Sequence, residues 1–251
     1  MVITPLYGQK KLMMNLIFYK RHSVALLLDP DKISNNIEKI LDNAAKCQTD
    51  YIMVGGSLTH KDTNELIDLI KNHCNIPVIL FPGSLIQLSL KADYILYLSL
   101  ISGRNPDLLI GNQVVAAPFL KKVKEKVIST GYILVNCGDT TSVEYMSQTK
   151  GIPSNKDEIA VATALAGEML GLKTIYLEAG SGANHIIPSS MIKAVKDEIS
   201  IPLIVGGGIR SAKDVETIFK AGADLVVVGN HCETDPDFLS EVCAVRDKLS
   251  I

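Results

Sequence analysis

Aromatic side chains make up only 5% of the 251 residues and tryptophan is absent, so any core this chain builds is largely aliphatic. Cysteine is sparse. Cys47, Cys74, Cys137, Cys232 and Cys243 are odd in number and form no C-x-x-C pair, which excludes a disulfide framework or a structural zinc site and predicts reduced thiols in a cytoplasmic setting. The five histidines show neither H-x-H nor H-E-x-x-H spacing, removing the usual catalytic zinc; His185 and His231 remain as loop residues. No window approaches the ~18 uninterrupted apolar residues of a membrane span. The apolar run from Lys10 to Phe18 is short, holds Asn15 and lacks a small-residue cleavage site, so it predicts an N-terminal helix within an extension over residues 1–22. With 25 basic against 27 acidic residues, a net charge of −2 and no Lys/Arg cluster, the electrostatic footprint of a nucleic-acid binder is missing. No Gly/Ser- or Pro-rich linker divides the chain, which predicts one domain over residues 1–251.

What the chain does have is hydrophobic periodicity, with 47% apolar residues gathered in short β-branched and aliphatic runs. Strands are expected at Val24–Leu28, Tyr51–Val54, Val78–Phe81, Tyr94–Leu98, Tyr132–Asn136, Thr174–Glu178, Leu203–Val205 and Leu225–Val228. Their near-continuous hydrophobicity suits a parallel sheet covered on both faces. Helices are expected from a Ser34 cap to about Lys46, from Asp62 or Thr63, from Asn105-Pro106 to Lys126, and over about Lys156–Leu170, Ser189–Glu198, Ala212–Ala221 and Pro236–Leu249. Eight strands alternating with helices predict an α/β fold, a single (β/α)8 TIM-type barrel, for which about 250 residues is the usual length.

An internal echo supports two related halves: Ile76-Pro77-Val78-Ile79-Leu80 parallels Ile201-Pro202-Leu203-Ile204-Val205, and Ala92-Asp93 parallels Ala223-Asp224. Pro77 to Asp93 is 16 positions whereas Pro202 to Asp224 is 22, so the third crossover is shortened, with its helix reduced or missing. A gap in the helical ring follows. Cys137 to Asn155 reads as a long, polar, irregular loop on the active face.

In such barrels the chemistry lies where strands end. The seventh expected strand ends in Gly206-Gly207-Gly208-Ile209-Arg210 and the eighth in Gly229-Asn230, a pair of loops whose backbone N–H groups can approach a phosphate. The sixth ends Tyr176-Leu177-Glu178-Ala179-Gly180-Ser181-Gly182. Glu178 there can act as a general base or be a structural carboxylate paired with Arg210 or a lysine; Tyr176 shares its face by strand alternation. The first two strands end in Leu28-Asp29-Pro30-Asp31-Lys32 and Gly55-Gly56-Ser57. Asp29 and Ser57 supply oxygens of the sparse kind that hold Mg²⁺ when substrate phosphates complete its shell; the alternative is that Asp29 caps a turn and Asp31 is a solvated loop charge.

This ordered set of strand ends resembles the family of geranylgeranylglyceryl and heptaprenylglyceryl phosphate synthases, from about residue 24 to the C-terminus. The Y-L-E-A-G-S-G element is its most specific part. The resemblance implies a transferase that joins sn-glycerol 1-phosphate to a prenyl diphosphate as an ether, for ether phospholipid synthesis, with Mg²⁺ as cofactor. It implies Asp29 and Ser57 at the metal, Glu178 and Tyr176 as the catalytic pair, and glycerol phosphate held by Tyr176, Leu177, Glu178, Ala179, Gly180, Ser181, Gly182, Gly207, Gly208, Gly229 and Asn230. Where some relatives carry a lysine two positions before the metal aspartate this chain has Leu27, closer to the archaeal-type members. The family's habits also imply a homo-oligomer, and a lipid product implies transient membrane contact. The DD-x-x-D pairs of helical prenyl synthases are absent. The gap beside the third and fourth strands, bordered by Leu85, Ile86, Leu88 and the helix after Pro106, is the expected exit for the prenyl tail. Two rivals use the same loops: a flavin- or sugar-phosphate-binding barrel doing oxidoreduction or isomerisation, and a non-catalytic phosphate-binding protein.

Overall fold

A computed structural model describes Phe18 and residues 22–32 and 36–250; the expected N-terminal helix and the Ser34 cap lie outside the described residues. Eight parallel strands form a closed barrel: β1 (Ser23–Leu28), β2 (Tyr51–Val54), β3 (Val78–Leu80), β4 (Tyr94–Leu100), β5 (Val127–Asn136), β7 (Thr174–Glu178), β8 (Leu203–Gly206) and β9 (Leu225–Val228). A two-residue strand β6 (Ile152–Pro153) pairs with the end of β5 outside the barrel order. The ring closes between β4 and β5, from Ile95 opposite Val127 to Leu100 opposite Tyr132.

The strands are hydrophobic throughout because each face buries into a different core. Alternate residues Val24, Leu26 and Leu28 of β1 join one apolar cluster with Ile52, Val54, Ile175, Leu177 and the helices, while Ala25, Met53, Ile79, Leu96, Tyr132, Tyr176, Ile204 and Val227 form a second cluster inside the barrel. This parity decides which strand-end side chains reach the active face.

Helices α1 (Ile37–Lys46), α2 (Thr63–His73), α5 (Asp157–Met169), α6 (Ser189–Glu198), α7 (Ala212–Lys220) and α9 (Phe238–Leu249) surround the barrel. The third crossover holds only a 3-10 turn, Leu85–Gln87, as the short spacing implied. Buried Gln87 takes over part of the missing helix's role: it accepts from Gly83 N–H at 3.0 Å and donates to Gly56 O at 2.9 Å, pinning this loop to the end of β2.

Four expectations are corrected. β5 begins five residues before Tyr132, because Ser129, Thr130 and Gly131 hide a strand that β4 pairs along its length. The helix expected from Asn105-Pro106 to Lys126 is three pieces, a π turn (Asp107–Gly111), α3 (Asn112–Leu120) and a 3-10 segment (Lys121–Lys126) broken at Val123. Pro118 lacks an N–H to continue the ladder, and Gln113 instead ties α3 to β4 by donating to Leu98 O. The stretch from Cys137 to Asn155 is not irregular: it folds as α4 (Ser142–Ser147) and β6, because Glu144 accepts from Thr141 N–H at 3.1 Å in a capping box and from Gly151 N–H at 2.9 Å. A further short helix, α8 (Asn230–Thr234), precedes α9, which starts at Phe238 rather than Pro236. Among the described residues no helix is long and apolar enough to cross a membrane.

Candidate active site

The C-terminal ends of the strands open into a cavity of about 900 Å³. It has a polar end and an apolar arm. At the polar end Asp29, Ser57, Tyr176, Glu178, Ser181, Gly182, Gly207, Gly208, Gly229 and Asn230 all line it. Leu177 and Ala179 do not: both are buried in the cluster between barrel and helices, on the opposite parity from Tyr176 and Glu178. Gly180 acts through its backbone.

Glu178 ends β7 on the inner face and is only 6% exposed. Gly180 N–H donates to its Oε1 at 2.6 Å, and the hydroxyls of Tyr132 and Tyr176 donate to the carboxylate as well. Burial nevertheless outweighs these donors and holds its pKa above the usual 4.5. The two tyrosines, buried and facing the glutamate charge, are pushed well above their ordinary value in turn. Their rings meet edge-on at 5.4 Å, and Phe81 stacks on Tyr176 at 5.2 Å, so both hydroxyls are fixed. Arg210, weighed as a structural partner for Glu178, instead donates to Ala183 O at 3.1 Å.

Around this carboxylate the glycine loops approach closely. Gly207 has φ +86°, and a Cβ there would lie 2.5 Å from Glu178 Oε1 and 2.7 Å from Gly180 N. Asn230 Nδ2 donates to Ser181 Oγ at 2.9 Å, which joins the β9 loop to the β7 loop. These loops present backbone N–H groups and a side-chain amide to one space, a suitable cradle for a phosphate monoester.

Across the mouth, Asp29 does both things the sequence left open. Its Oδ1 accepts from Asp31 N–H at 3.1 Å, capping the turn, while the side chain lines the cavity with its pKa raised, chiefly by burial. Gly56 gives it room, since a Cβ there would stand 2.8 Å from Asp29 Oδ2. Asp29 and Ser57 give one carboxylate and one hydroxyl, and no group of three or more His, Cys, Asp or Glu suited to a metal occurs among the described residues. That donor set fits a hard cation completed by substrate oxygens and water. Asp31 is not a free loop charge. It accepts from Lys61 N–H at 2.8 Å and from His60 N–H and Nδ1 at 2.9 Å, bonds that bring its pKa down to about 2 and staple the β1 and β2 loops together.

The apolar arm runs from Leu96, Leu98 and Leu100 past Leu108 and Ala116 to Leu85, Ile86 and Leu88, where the absent third helix leaves the ring open. His231 lines the cavity and packs edge-on against Phe238 at 4.6 Å, whereas His185 contributes only backbone, its carbonyl abutting Gly208.

A model of the PcrB family matches residues 16–246. The chain belongs to the PcrB family. A geranylgeranylglyceryl phosphate synthase of Chitinophaga pinensis is 52% identical over 226 residues, 88% of each chain. Among solved structures, the wild-type GGGPS from Thermoplasma volcanium superposes with a TM-score of 0.85 at 35% identity, covering 96% of this chain and 97% of that one. The (S)-3-O-geranylgeranylglyceryl phosphate synthase from Thermoplasma acidophilum, solved in complex with sn-glycerol-1-phosphate, gives 0.85 at 30%, covering 98% and 100%.

Two residues of this PcrB-family site escaped sequence reasoning. Tyr132 opens the expected fifth strand but carries no assigned role there; the parity that puts Leu134 inside puts Tyr132 there too, beside the Glu178 charge. Lys32 closes the Leu28-to-Lys32 motif, which assigns it no role; its Nζ lies 2.9 Å from Asn230 Oδ1. The cradle itself can be tested without catalysis. Gly207→Ala, whose Cβ must displace Glu178 or the Gly180 backbone, should weaken inorganic phosphate binding in a calorimetric titration at least ~10-fold, the equivalent of one lost charge-assisted hydrogen bond; unchanged affinity would mean that phosphate does not bind between these loops.

Proposed function

We propose that this PcrB-family protein is a prenyltransferase that forms geranylgeranylglyceryl phosphate for ether lipids, joining sn-glycerol 1-phosphate to geranylgeranyl diphosphate. The carrying observation is that one cavity holds a phosphate cradle, a buried carboxylate and a long apolar arm, in that order. The backbone N–H groups of Gly182, Gly207, Gly208 and Gly229 and the amide of Asn230 hold the phosphate. Fixed there, glycerol presents its terminal hydroxyl to Glu178 at close range, replacing a bimolecular encounter by a positioned one. As the hydroxyl oxygen bonds to the allylic C1, the C1–O bond to diphosphate breaks with its electron pair, and the hydroxyl proton passes to Glu178. A carboxylate whose pKa is raised by burial is a stronger base than an exposed one, and its tyrosine donors keep it aimed. Asp29 and Ser57 would hold Mg²⁺, which when bound neutralises diphosphate charge and improves the leaving group.

The tail lies along Leu98, Leu108 and Ala116 and leaves through the opening beside Leu85 and Leu88. At about 0.8 kcal/mol per buried CH₂, each isoprene unit contributes roughly 2–4 kcal/mol of binding. The outer side of α3 carries exposed Val114, Val115 and Phe119, an apolar face that supports self-association of the chain. The five free thiols support a cytoplasmic setting.

The direct test is incubation with Mg²⁺, sn-glycerol 1-phosphate and geranylgeranyl diphosphate: an ether product and released diphosphate are expected, and phosphate binding without product would favour a non-catalytic role. In Glu178→Gln turnover should fall by roughly 10²–10⁴, the span of general-base contributions. Stability should move the other way. Because the folded pKa lies above the unfolded 4.5, the cost of burying the ionised form is absent below the unfolded value and complete above the folded one, so at pH 8 the neutral amide should melt no lower than wild type. Full activity in this variant would remove Glu178 as base. For the arm, Ala116→Trp should shift kcat/KM toward shorter prenyl diphosphates by about tenfold, the loss of one or two buried methylenes; unaltered selectivity would remove this route for the tail.

A further inference from the structure

Two phosphorylated substrates meet in this cavity, and its wall offers little positive charge to receive them. Among the described residues, Lys32 and Arg210 are the only lysine or arginine side chains that line it. Arg210 lies on the glycine-loop side, its guanidinium donating to Ala183 O. Lys32 lies elsewhere. It ends the 3-10 turn Pro30–Lys32 that follows β1 and extends across the mouth, with Nζ 2.9 Å from Asn230 Oδ1 and 3.8 Å from Asp29 Oδ2. It therefore bridges the two regions that would receive different substrates, the diphosphate at Asp29 and the glycerol phosphate at Asn230.

An ammonium has three donors. Asn230 takes one, Asp29 faces Nζ at a distance beyond a good hydrogen bond, and the side chain is 44% exposed toward the cavity mouth, so donor capacity remains for a ligand. The Asn230 amide is also held by Ser181, Nδ2 donating to its Oγ at 2.9 Å, so its place in the cradle does not depend on Lys32.

We propose that Lys32 is a substrate-contacting residue that binds the diphosphate of the prenyl donor and stabilises the oxygen on which charge accumulates as the bond to C1 breaks. The electron pair of that bond stays with the diphosphate oxygen, and the glycerol proton goes to Glu178. A fixed cation aimed where charge develops lowers the barrier without reorganisation during reaction. Asn230 is neutral and cannot do this, and Asp29 has the wrong sign without its cation.

This inference rests on the prenyl-transfer reading, and equilibrium binding separates the two. The full chain, in buffer with Mg²⁺, is titrated calorimetrically with inorganic diphosphate and separately with sn-glycerol 1-phosphate, for wild type, Lys32→Met and Lys32→Arg. The methionine variant should lose diphosphate affinity by roughly 10–100-fold, as expected for one charge-assisted contact. Its glycerol phosphate affinity should change by less than about threefold, half a charged hydrogen bond, which also reports an intact fold. The arginine variant should recover most of the diphosphate affinity. Wild-type diphosphate binding in Lys32→Met, or equal loss of both ligands, would overturn the proposal; if wild type still makes the ether product, only this inference falls. A wild-type protein that binds neither ligand and makes no product would remove the parent reading together with it.

Discussion

A carboxylate taken out of water must be surrounded by donors, and the top of this barrel is organised around that demand at Glu178. Gly180 N–H, Tyr132 and Tyr176 supply them, and burial still prevails over all three in setting the pKa. Much of the neighbouring sequence follows. Gly206 must lack a side chain because a Cβ would meet Tyr176 Oη at 2.5 Å, and Gly207 because it would meet Glu178 itself. The loops that cradle the phosphate are the same loops that leave space for the base, so phosphate binding and proton transfer share one set of backbone positions.

The barrel makes this arrangement rigid. Tyr132 and Tyr176 are opposite one another in the β5–β7 register, and Glu178 stands two residues further along, so three inward positions on neighbouring strands set the base. The polar end and the apolar arm divide the cavity along the same axis. On one side the loops after β7, β8 and β9 turn on glycine; on the other, the missing third helix leaves Leu85 and Leu88 as a hydrophobic margin held in place by Gln87. A full helix there would have closed the arm.

Most of the fold is legible in the sequence because parallel barrel strands are hydrophobic on both faces and end in glycine, aspartate or asparagine at predictable places. The shortened crossover is legible as well, from the 16-against-22 spacing. What the sequence hides are features in which polar residues do structural work. Ser129-Thr130-Gly131 conceals the first half of β5, and Thr141 with Glu144 makes a helix start inside what reads as loop. A linear motif also overstates its own reach: of Tyr176-Leu177-Glu178-Ala179, alternation sends Leu177 and Ala179 to the helical side. Asp31 can be read as a solvated loop charge, and Lys32 carries no reading at all, because their partners, His60, Lys61 and Asn230, are distant in sequence.

Burial dominates the hydrogen bonds at Glu178 and leaves a base stronger than an exposed glutamate. A ¹³C NMR titration of protein labelled at the glutamate carboxyl carbons, with Glu178 identified by the signal lost in Glu178→Gln, measures this without substrate. Its midpoint is predicted to lie above the ordinary 4.5. A midpoint at or below that value would mean that the three donors, not burial, set the charge.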